Sequence, residues 1–427
     1  MKQITVAIAG CGGRGLDTYA SVAKQIPEKM KIVAAADLLP ERLQKARDQF
    51  GLTAEQCYSS VEEMLEQPRL ADVLFVCTQD RQHVGHAIPA IRKGYHILLE
   101  KPISPEVEEC RALLQAAREY ERYVVVCHVL RYTPFYRAVK QAIESGAIGR
   151  PVSVQAIENV GYWHTAHSFV RGNWRDTKET SPMILAKCCH DLDILLWLTG
   201  QRCETVSSFG GTALFRADRA PEGAGLRCTD GCAIKESCPY DAEKIYLTNP
   251  QTGVLHGNTA WPCNVLQLFP TEENIRQALR EGSYGRCVYH CDNDTVDHQI
   301  VNMQLEDGAT VSLTMCAFTS KGHRYLKVMG TLGDIEADMG RNIVEVTTFG
   351  QKPQIIDVTT LAEDFSGHGG GDNAMVKEFI DFLSDPEHHR MSSTLEASLE
   401  SHYVALAAER SRLDGGQAVA VAELRGE

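Results

Sequence analysis

No apolar run in this 427-residue sequence approaches the roughly 18 residues that a membrane span requires. The first one, residues 4–9, is also too short for the core of a secretory signal, and it stops at glycines as a buried strand does. The expectation is a soluble protein of a cytoplasmic, reducing compartment. Basic residues are outnumbered: 43 Lys and Arg against 56 Asp and Glu leave a net charge of −13. Nucleic-acid binding needs a clustered positive footprint, so neither a nucleic acid nor a membrane is an expected partner. Low-complexity tracts and repeats at a solenoid period are missing too. So are paired C-x2-C knuckles, although cysteines number 15. An odd count scattered over predicted strands and helices is no disulfide framework, and most of these thiols should be small buried apolar groups.

At this length two domains are expected, because one hydrophobic core seldom organises so much chain. With 44% hydrophobic and 23% charged residues the composition is that of a globular protein. Up to residue 130, short runs of Val, Ile, Leu and Ala alternate with amphipathic stretches. The runs at 4–9, 31–36, 73–77, 96–99 and 123–127 show no polar alternation and read as strands covered on both faces. Helical patterns near 16–25, 40–49, 61–66, 84–93 and 105–120 supply the covers, giving an α/β domain with a parallel, doubly wound sheet. A boundary falls near 131–151, and a strand at 152–160 follows. Beyond it, runs at 299–305, 310–316 and 325–329 alternate in polarity and predict an open, mainly antiparallel sheet. Helices are expected at 135–145, 184–198, 374–383 and 395–410, and 210–286 reads as an irregular insertion. The domains are therefore 1–130 and 131–427, the second also α/β.

Gly10-Cys11-Gly12-Gly13-Arg14-Gly15 follows the first strand and opens the first helix. In this G-x-G-x-x-G pattern Gly10 permits the tight turn, Gly12 lets backbone approach a pyrophosphate, and Gly15 allows helix and strand to pack closely. The helix start at Gly13 and Arg14 offers oriented N–H groups to phosphates. Asp37 ends the second strand 22 positions after Gly15, where a carboxylate takes adenosine ribose hydroxyls. Together these describe a Rossmann dinucleotide site. Because a carboxylate repels a 2′-phosphate, NAD is expected over NADP, with Arg42 leaving dual use open.

Glu100-Lys101-Pro102 ends the strand 96–99, at the edge where doubly wound sheets bind ligands. A lysine above a nicotinamide can hydrogen-bond a substrate hydroxyl and relay its proton while a hydride leaves the same carbon. A solvated Glu–Lys pair is the plainer alternative. Tyr162-Trp163-His164 mixes aromatic and polar groups as carbohydrate pockets do, and Asp297-His298 opens a strand. His368-Gly369-Gly370-Gly371-Asp372 precedes a helix. Its glycines let backbone approach a ligand, with His368 and Asp372 supplying hydrogen bonds, or it is a flexible loop with Asp372 as the helix cap. All of these are candidate substrate contacts.

In the insertion Cys228, Cys232 and Cys238 place three thiols within eleven residues, spaced C-x3-C-x5-C, with Cys263, Cys287 and Cys291 downstream. An irregular segment with no evident core of its own is a place for a structural metal, zinc first and an iron–sulfur cluster second, against free buried thiols.

In order, these motifs resemble the glucose–fructose oxidoreductase and inositol dehydrogenase family, Gfo/Idh/MocA. The elements that carry the resemblance are the glycine loop, Asp37, Cys77-Thr78 followed by His83, and Gly94-Tyr95-His96 leading to Glu100-Lys101-Pro102. Ile148-Gly149-Arg150-Pro151, His190-Asp191-Leu192-Asp193 and Gly330-Thr331-Leu332-Gly333 continue it. The resemblance implies a Rossmann domain and a second α/β domain whose open sheet packs against other subunits, as a homodimer or homotetramer. It also implies a sugar or polyol substrate, Lys101 polarising its hydroxyl, His190 as acid/base or orienting group, and Thr78, His83 and Glu100 lining the cofactor. One departure stands out. Many members carry an aspartate one helical turn before the histidine, and here Ala186 holds that place with Lys187 next to it, a replacement cation or base or else a surface lysine. The expected activity is NAD-dependent oxidation of a secondary hydroxyl on a sugar, glycoside or cyclitol. Glycoside cleavage through transient oxidation is the alternative, and a non-catalytic cofactor sensor is disfavoured because Lys101 and His190 are both present.

Overall fold

The apolar runs of the first 130 residues form one six-stranded parallel sheet in the computed structural model, which describes residues 3–427. The strands are β1 (Ile4–Ala9), β2 (Met30–Ala36), β3 (Cys57–Tyr58), β4 (Val73–Val76), β5 (His96–Leu99) and β6 (Val124–Val126), in the order β3-β2-β1-β4-β5-β6. β1, β4 and β5 are buried almost throughout, because helices cover both faces. The order reverses between β1 and β4, which opens a crevice at the carboxyl edge. Main-chain bonds from Gly10 to Ala36, from Cys77 to Ala9 and from Glu100 to Val76 (2.8–2.9 Å) set those three residues side by side on that edge. The first helix starts as a wide π turn, Gly13–Tyr19, and tightens to a 3-10 segment, Ala20–Lys24.

A second, nine-stranded sheet is built from β7 (Pro151–Asn159), β8 (Cys203–Gly211), β9 (His298–Leu305), β10 (Thr310–Cys316), β11 (His323–Gly330), β12 (Gly333–Asp338), β13 (Ile343–Thr348), β14 (Gln354–Asp357) and β15 (Val419–Ala420). Its order is β14-β13-β12-β11-β7-β10-β9-β8-β15. β7 and β10 pair in parallel, and every other pair is antiparallel. Polar alternation sets the faces: in β7, Val154, Ala156 and Glu158 point into the core while Gln155 and Ile157 point out. The inner face packs on the helices Cys189–Thr199 and Leu395–Leu413. β3, β14 and β15 lie at sheet ends, where short, part-exposed strands leave little periodic signal.

Three features depart from the sequence reading. The helix expected at 184–198 is two pieces, Met183–Ala186 and Cys189–Thr199, broken at Lys187 and Cys188. The helix Gly371–Ser384, far along the chain, returns to the first sheet, where Met375, Val376, Phe379 and Ile380 share a core with Val6, Ile8 and Phe75. The third correction concerns the insertion, which has a core of its own containing Phe215, Tyr240, Ile245, Tyr246, Ile275 and Leu279. With that core present, a metal is not needed to order the segment. Among the described residues no three His, Cys, Asp or Glu side chains are arranged to hold a metal ion, so Cys228, Cys232 and Cys238 form neither a zinc nor an iron–sulfur centre. All 15 cysteines are free. Cys228 packs in the insertion core, where burial pushes its thiol up and Arg171 donates to its Sγ at 3.5 Å. Among the described residues no helix is long and apolar enough to cross a membrane.

Candidate active site

At the edge of β1 the glycines are required by close approach. Gly10 has φ +93°, and a Cβ there would sit 2.5 Å from the Cys77 carbonyl oxygen. At Gly15 a Cβ would meet the Gly10 oxygen at 2.1 Å. Gly12 and Gly13 are the opposite case: a Cβ at Gly13 meets nothing within 4 Å, and at Gly12 only Arg42 Nη1 at 3.9 Å. Their backbone faces the open space that a pyrophosphate would fill, at the unpaired N–H groups of a helix start. Asp37 bounds the same space. Its carboxylate accepts from Cys11 N (2.7 Å) and Leu39 N (2.9 Å), with Arg42 Nη1 at 3.6 Å, so it holds the loop as well as facing the crevice. This cradle fits NAD. Thr78 and His83 are turned inward: Thr78 Oγ1 pairs with His86 Nδ1, and the His83 ring spans the carbonyls of Thr78 and Pro102. They brace the ends of β4 and β5.

Arg14 does something the fingerprint does not disclose. Its guanidinium donates to Glu100 (2.9 Å), to both carboxylate oxygens of Asp372 (2.6 and 3.0 Å) and to the Tyr19 hydroxyl. Tyr19 in turn donates to Glu100 Oε1 at 2.6 Å. Burial works to raise both carboxyls, but the Arg14 charge and these hydrogen bonds outweigh it and hold Glu100 and Asp372 below the usual range. Asp372 also bonds His368 Nδ1 at 3.1 Å. Asp372 is not the helix cap: it lies in the first turn of Gly371–Ser384, whose N-cap is Gly370 with no side-chain capping bond. It clasps the returning helix to the glycine loop and presents His368.

Lys101 leaves β5 and reaches the second domain, where its Nζ donates to the Ala186 carbonyl at 2.8 Å. The helix break at 187–188 makes this possible, since a carbonyl in an unbroken helix would be spent on the residue four positions on. The place of the family's aspartate thus offers Lys101 a main-chain acceptor. One turn later comes His190, only 3% exposed, with no partner for its Nδ1 among the described residues. Burial, then the charge of Lys101 and the nearby His368 and His128, pull its pKa well below the ordinary imidazole value. His190 is therefore neutral at physiological pH. Its ring lies 5.6 Å from His368 and 5.9 Å from His128, whose two nitrogens make no hydrogen bond among the described residues, Nε2 lying 3.8 Å from Asp193.

Lys187 is not a surface lysine. Its Nζ lies 3.2 Å from Glu158 Oε1, and Glu158, 2% exposed, also meets Arg324, which forks onto Asp191. Burial raises the Glu158 carboxyl, partly offset by Arg324 and Lys187. His164 shares this cleft: burial first, then Lys187, His167, His368 and Lys101, lower its pKa. Its ring packs against Trp163 and, from the insertion, Trp261. Tyr162 lies against Tyr240 of the insertion. Asp297 and His298 are placed differently. Both Asp297 oxygens are taken by the backbone N–H groups of Ala213 and Leu214, tying down the insertion's first residues, and His298 is exposed beside it.

Tyr19, Glu158, Arg324, His128 and Trp261 did not emerge from sequence motifs. Only Glu158 carried a signal, as an acid at an inward position of an alternating strand.

The chain matches two family profiles end to end: "Oxidoreductase family, NAD-binding Rossmann fold" over residues 4–128 and "Oxidoreductase family, C-terminal alpha/beta domain" over 140–421. It is 24% identical over 373 residues to the putative oxidoreductase YteT of Bacillus subtilis, covering 82% of each chain. To the inositol 2-dehydrogenase of Ralstonia nicotianae it is 29% identical over 198 residues, 46% of this chain and about half (55%) of that protein. Among solved structures, the WlbA dehydrogenase of Bordetella pertussis, in complex with NADH and UDP-GlcNAcA, superposes with a TM-score of 0.69 at 19% identity, covering 98% of both chains. The Rossmann cradle, the two matched domains and these relatives together establish that the chain is an NAD-binding oxidoreductase of the Gfo/Idh/MocA family.

Proposed function

We propose that the protein oxidises a secondary hydroxyl of a sugar, glycoside or cyclitol, or reduces the matching ketone. The observation that carries this reading is the bond from Lys101 across the domains to the Ala186 carbonyl, one turn before the buried, neutral His190. The inositol in one relative's name and the UDP-GlcNAcA held in a structural neighbour support the class. NAD would sit on Gly12, Gly13, Arg14 N–H and Gly15, with Asp37 at its ribose, and when bound it supplies the hydride acceptor.

Lys101 spends one of its three N–H bonds on the Ala186 carbonyl and aims the others at the substrate oxygen. A carbonyl orients an ammonium but cannot take its proton, so the proton released with the hydride passes to His190. Lys187, tethered by Glu158, adds a second cation on the substrate side, and His164, Trp163, Tyr162 and His368 flank the sugar. The exposed outer face of the second sheet, including Ile157 and Phe209, suits packing between copies of the chain.

The same groups serve the alternative, redox-assisted glycoside cleavage through transient oxidation. A panel of sugars, glycosides and cyclitols incubated with protein and NAD separates them. NADH accumulation supports net oxidation, and sugar release without it supports cleavage. No turnover of any member by protein that binds NAD overturns both.

A further inference from the structure

We propose that the insertion between β8 and β9 builds a subsite for a second substrate ring, the one beyond the ring that is oxidised, with Trp261 as its stacking surface. The inference rests on the sugar reading above and narrows it to glycosides and disaccharides. Trp261 is held in place from behind. Asn258 Nδ2 donates to the carbonyls of Thr252 (2.9 Å) and Trp261 (3.3 Å), and its Oδ1 accepts from Ala260 N (3.2 Å). Two residues on, the fully buried Cys263 anchors the turn, its Sγ 3.1 Å from the Thr252 carbonyl. For all this bracing the indole itself stays 42% exposed. A large aromatic side chain whose turn is fixed and which is still partly exposed presents an apolar platform.

The position of that platform selects its ligand. The Trp261 ring lies 4.8 Å from His164 and from Trp163, and 5.4 Å from His167. His164 touches Trp261 and also shares the cleft of Lys101 and Lys187. His164 thus stands between the lysines that act on it and Trp261, so with a sugar hydroxyl at Lys101 and His190 we assign the indole to the next ring. The indole N–H has no partner among the described residues, so it can donate to a hydroxyl of that ring. The insertion, with no role in holding a metal, thereby acquires one in selecting substrate length.

The test uses the full-length protein with saturating NAD and matched probes that differ only in the second ring: methyl and p-nitrophenyl glycosides of glucose and galactose, both anomers, with myo-inositol alongside. Both NADH and released sugar are followed. In the wild type, kcat/KM should favour the p-nitrophenyl member by about tenfold, chiefly through KM. Trp261→Ala should bring that ratio near one, and Trp261→Phe, which keeps an aromatic face and guards against a folding defect, should retain most of it. Equal kcat/KM within the wild-type pairs, a preference that survives Trp261→Ala, or turnover of myo-inositol alone would each overturn the subsite while leaving the sugar reading standing. Failure of every probe, with NAD binding intact, removes the sugar reading and the subsite with it.

Discussion

Consider taking the protein from pH 7.5 to pH 4.5. Eight histidines, at positions 86, 96, 128, 164, 167, 190, 368 and 402, are held below the ordinary imidazole pKa, in each case first by burial. The unfolded chain protonates these groups near pH 6.5 and the folded chain only at lower pH. Between those limits the unfolded state binds more protons, so stability falls as pH falls. His167 and His402, both buried, are lowered to about 3. At His402 the geometry requires the neutral ring, since Nε2 accepts from Ile103 N while Nδ1 donates to the Ser398 carbonyl. Each such histidine removes about 1.4 kcal/mol per pH unit, so these two together remove about 5 kcal/mol between pH 6.5 and 4.5. That rivals the whole net stability of a typical domain, about 5–15 kcal/mol.

Two other sets of groups bear on the same experiment. Glu158, Asp193 and Asp241 are raised by burial, take up protons earlier in the folded state and oppose the trend, but they are three against eight. Carboxyls held low, such as Asp292 at about 2, act only below about pH 4. Urea unfolding followed by circular dichroism at constant ionic strength should show a plateau from pH 7.5 to 6.5 and a steep decline below. His167→Phe loses the bond to Tyr246 and is less stable at pH 7.5, yet its pH slope should be shallower by about one proton. A midpoint that stays level from pH 6.5 to 5, or a His167→Phe slope parallel to wild type, refutes the reasoning.

Three further outcomes are expected. Lys101→Met and His190→Ala should each lower turnover by about a hundredfold or more, with NAD affinity nearly kept in His190→Ala, and the double variant should cost less than the product of the singles; near wild-type turnover by either single variant defeats the relay. Asp37→Ser should weaken NAD binding and improve NADP relative to it, and equal NAD affinity by calorimetry in the two proteins would remove Asp37 from the ribose site. Asp372→Asn should cost about 1–3 kcal/mol in urea unfolding, reduced from a fully buried pair because Arg14 is partly exposed; unchanged stability would mean the clasp is incidental.

The Rossmann half was legible because its constraints are local. Gly10 and Gly15 are glycines for want of space within a few ångströms, Asp37 follows directly from a buried strand, and strands covered on both faces show unbroken apolar runs. The rest depends on partners far away in the chain. The break at 187–188 carries no Gly or Pro, and its rewards are Lys101, 85 positions away, and Glu158 on another strand. The Arg14–Asp372 clasp spans 358 positions. In the insertion the cysteines drew attention as a local cluster, while the core that makes a metal unnecessary is assembled from aromatic side chains between 215 and 289 that no short window contains.

The acceptor that holds Lys101 belongs to the main chain, and this changes what selection can see at position 186. Where the family keeps an aspartate, loss of that carboxylate is visible as a motif violation and can be made by one codon change. A peptide carbonyl has no codon. Any small apolar residue would present the same oxygen, so position 186 answers to packing, Ala186 being 3% exposed, rather than to chemistry, and a search for catalytic residues by residue type passes over it. The vulnerable positions move to Lys187 and Cys188, whose backbone angles keep the helix open. A change at Cys188 that restored continuous helix would disarm Lys101 while leaving Lys187 and the other side chains of the cleft in place.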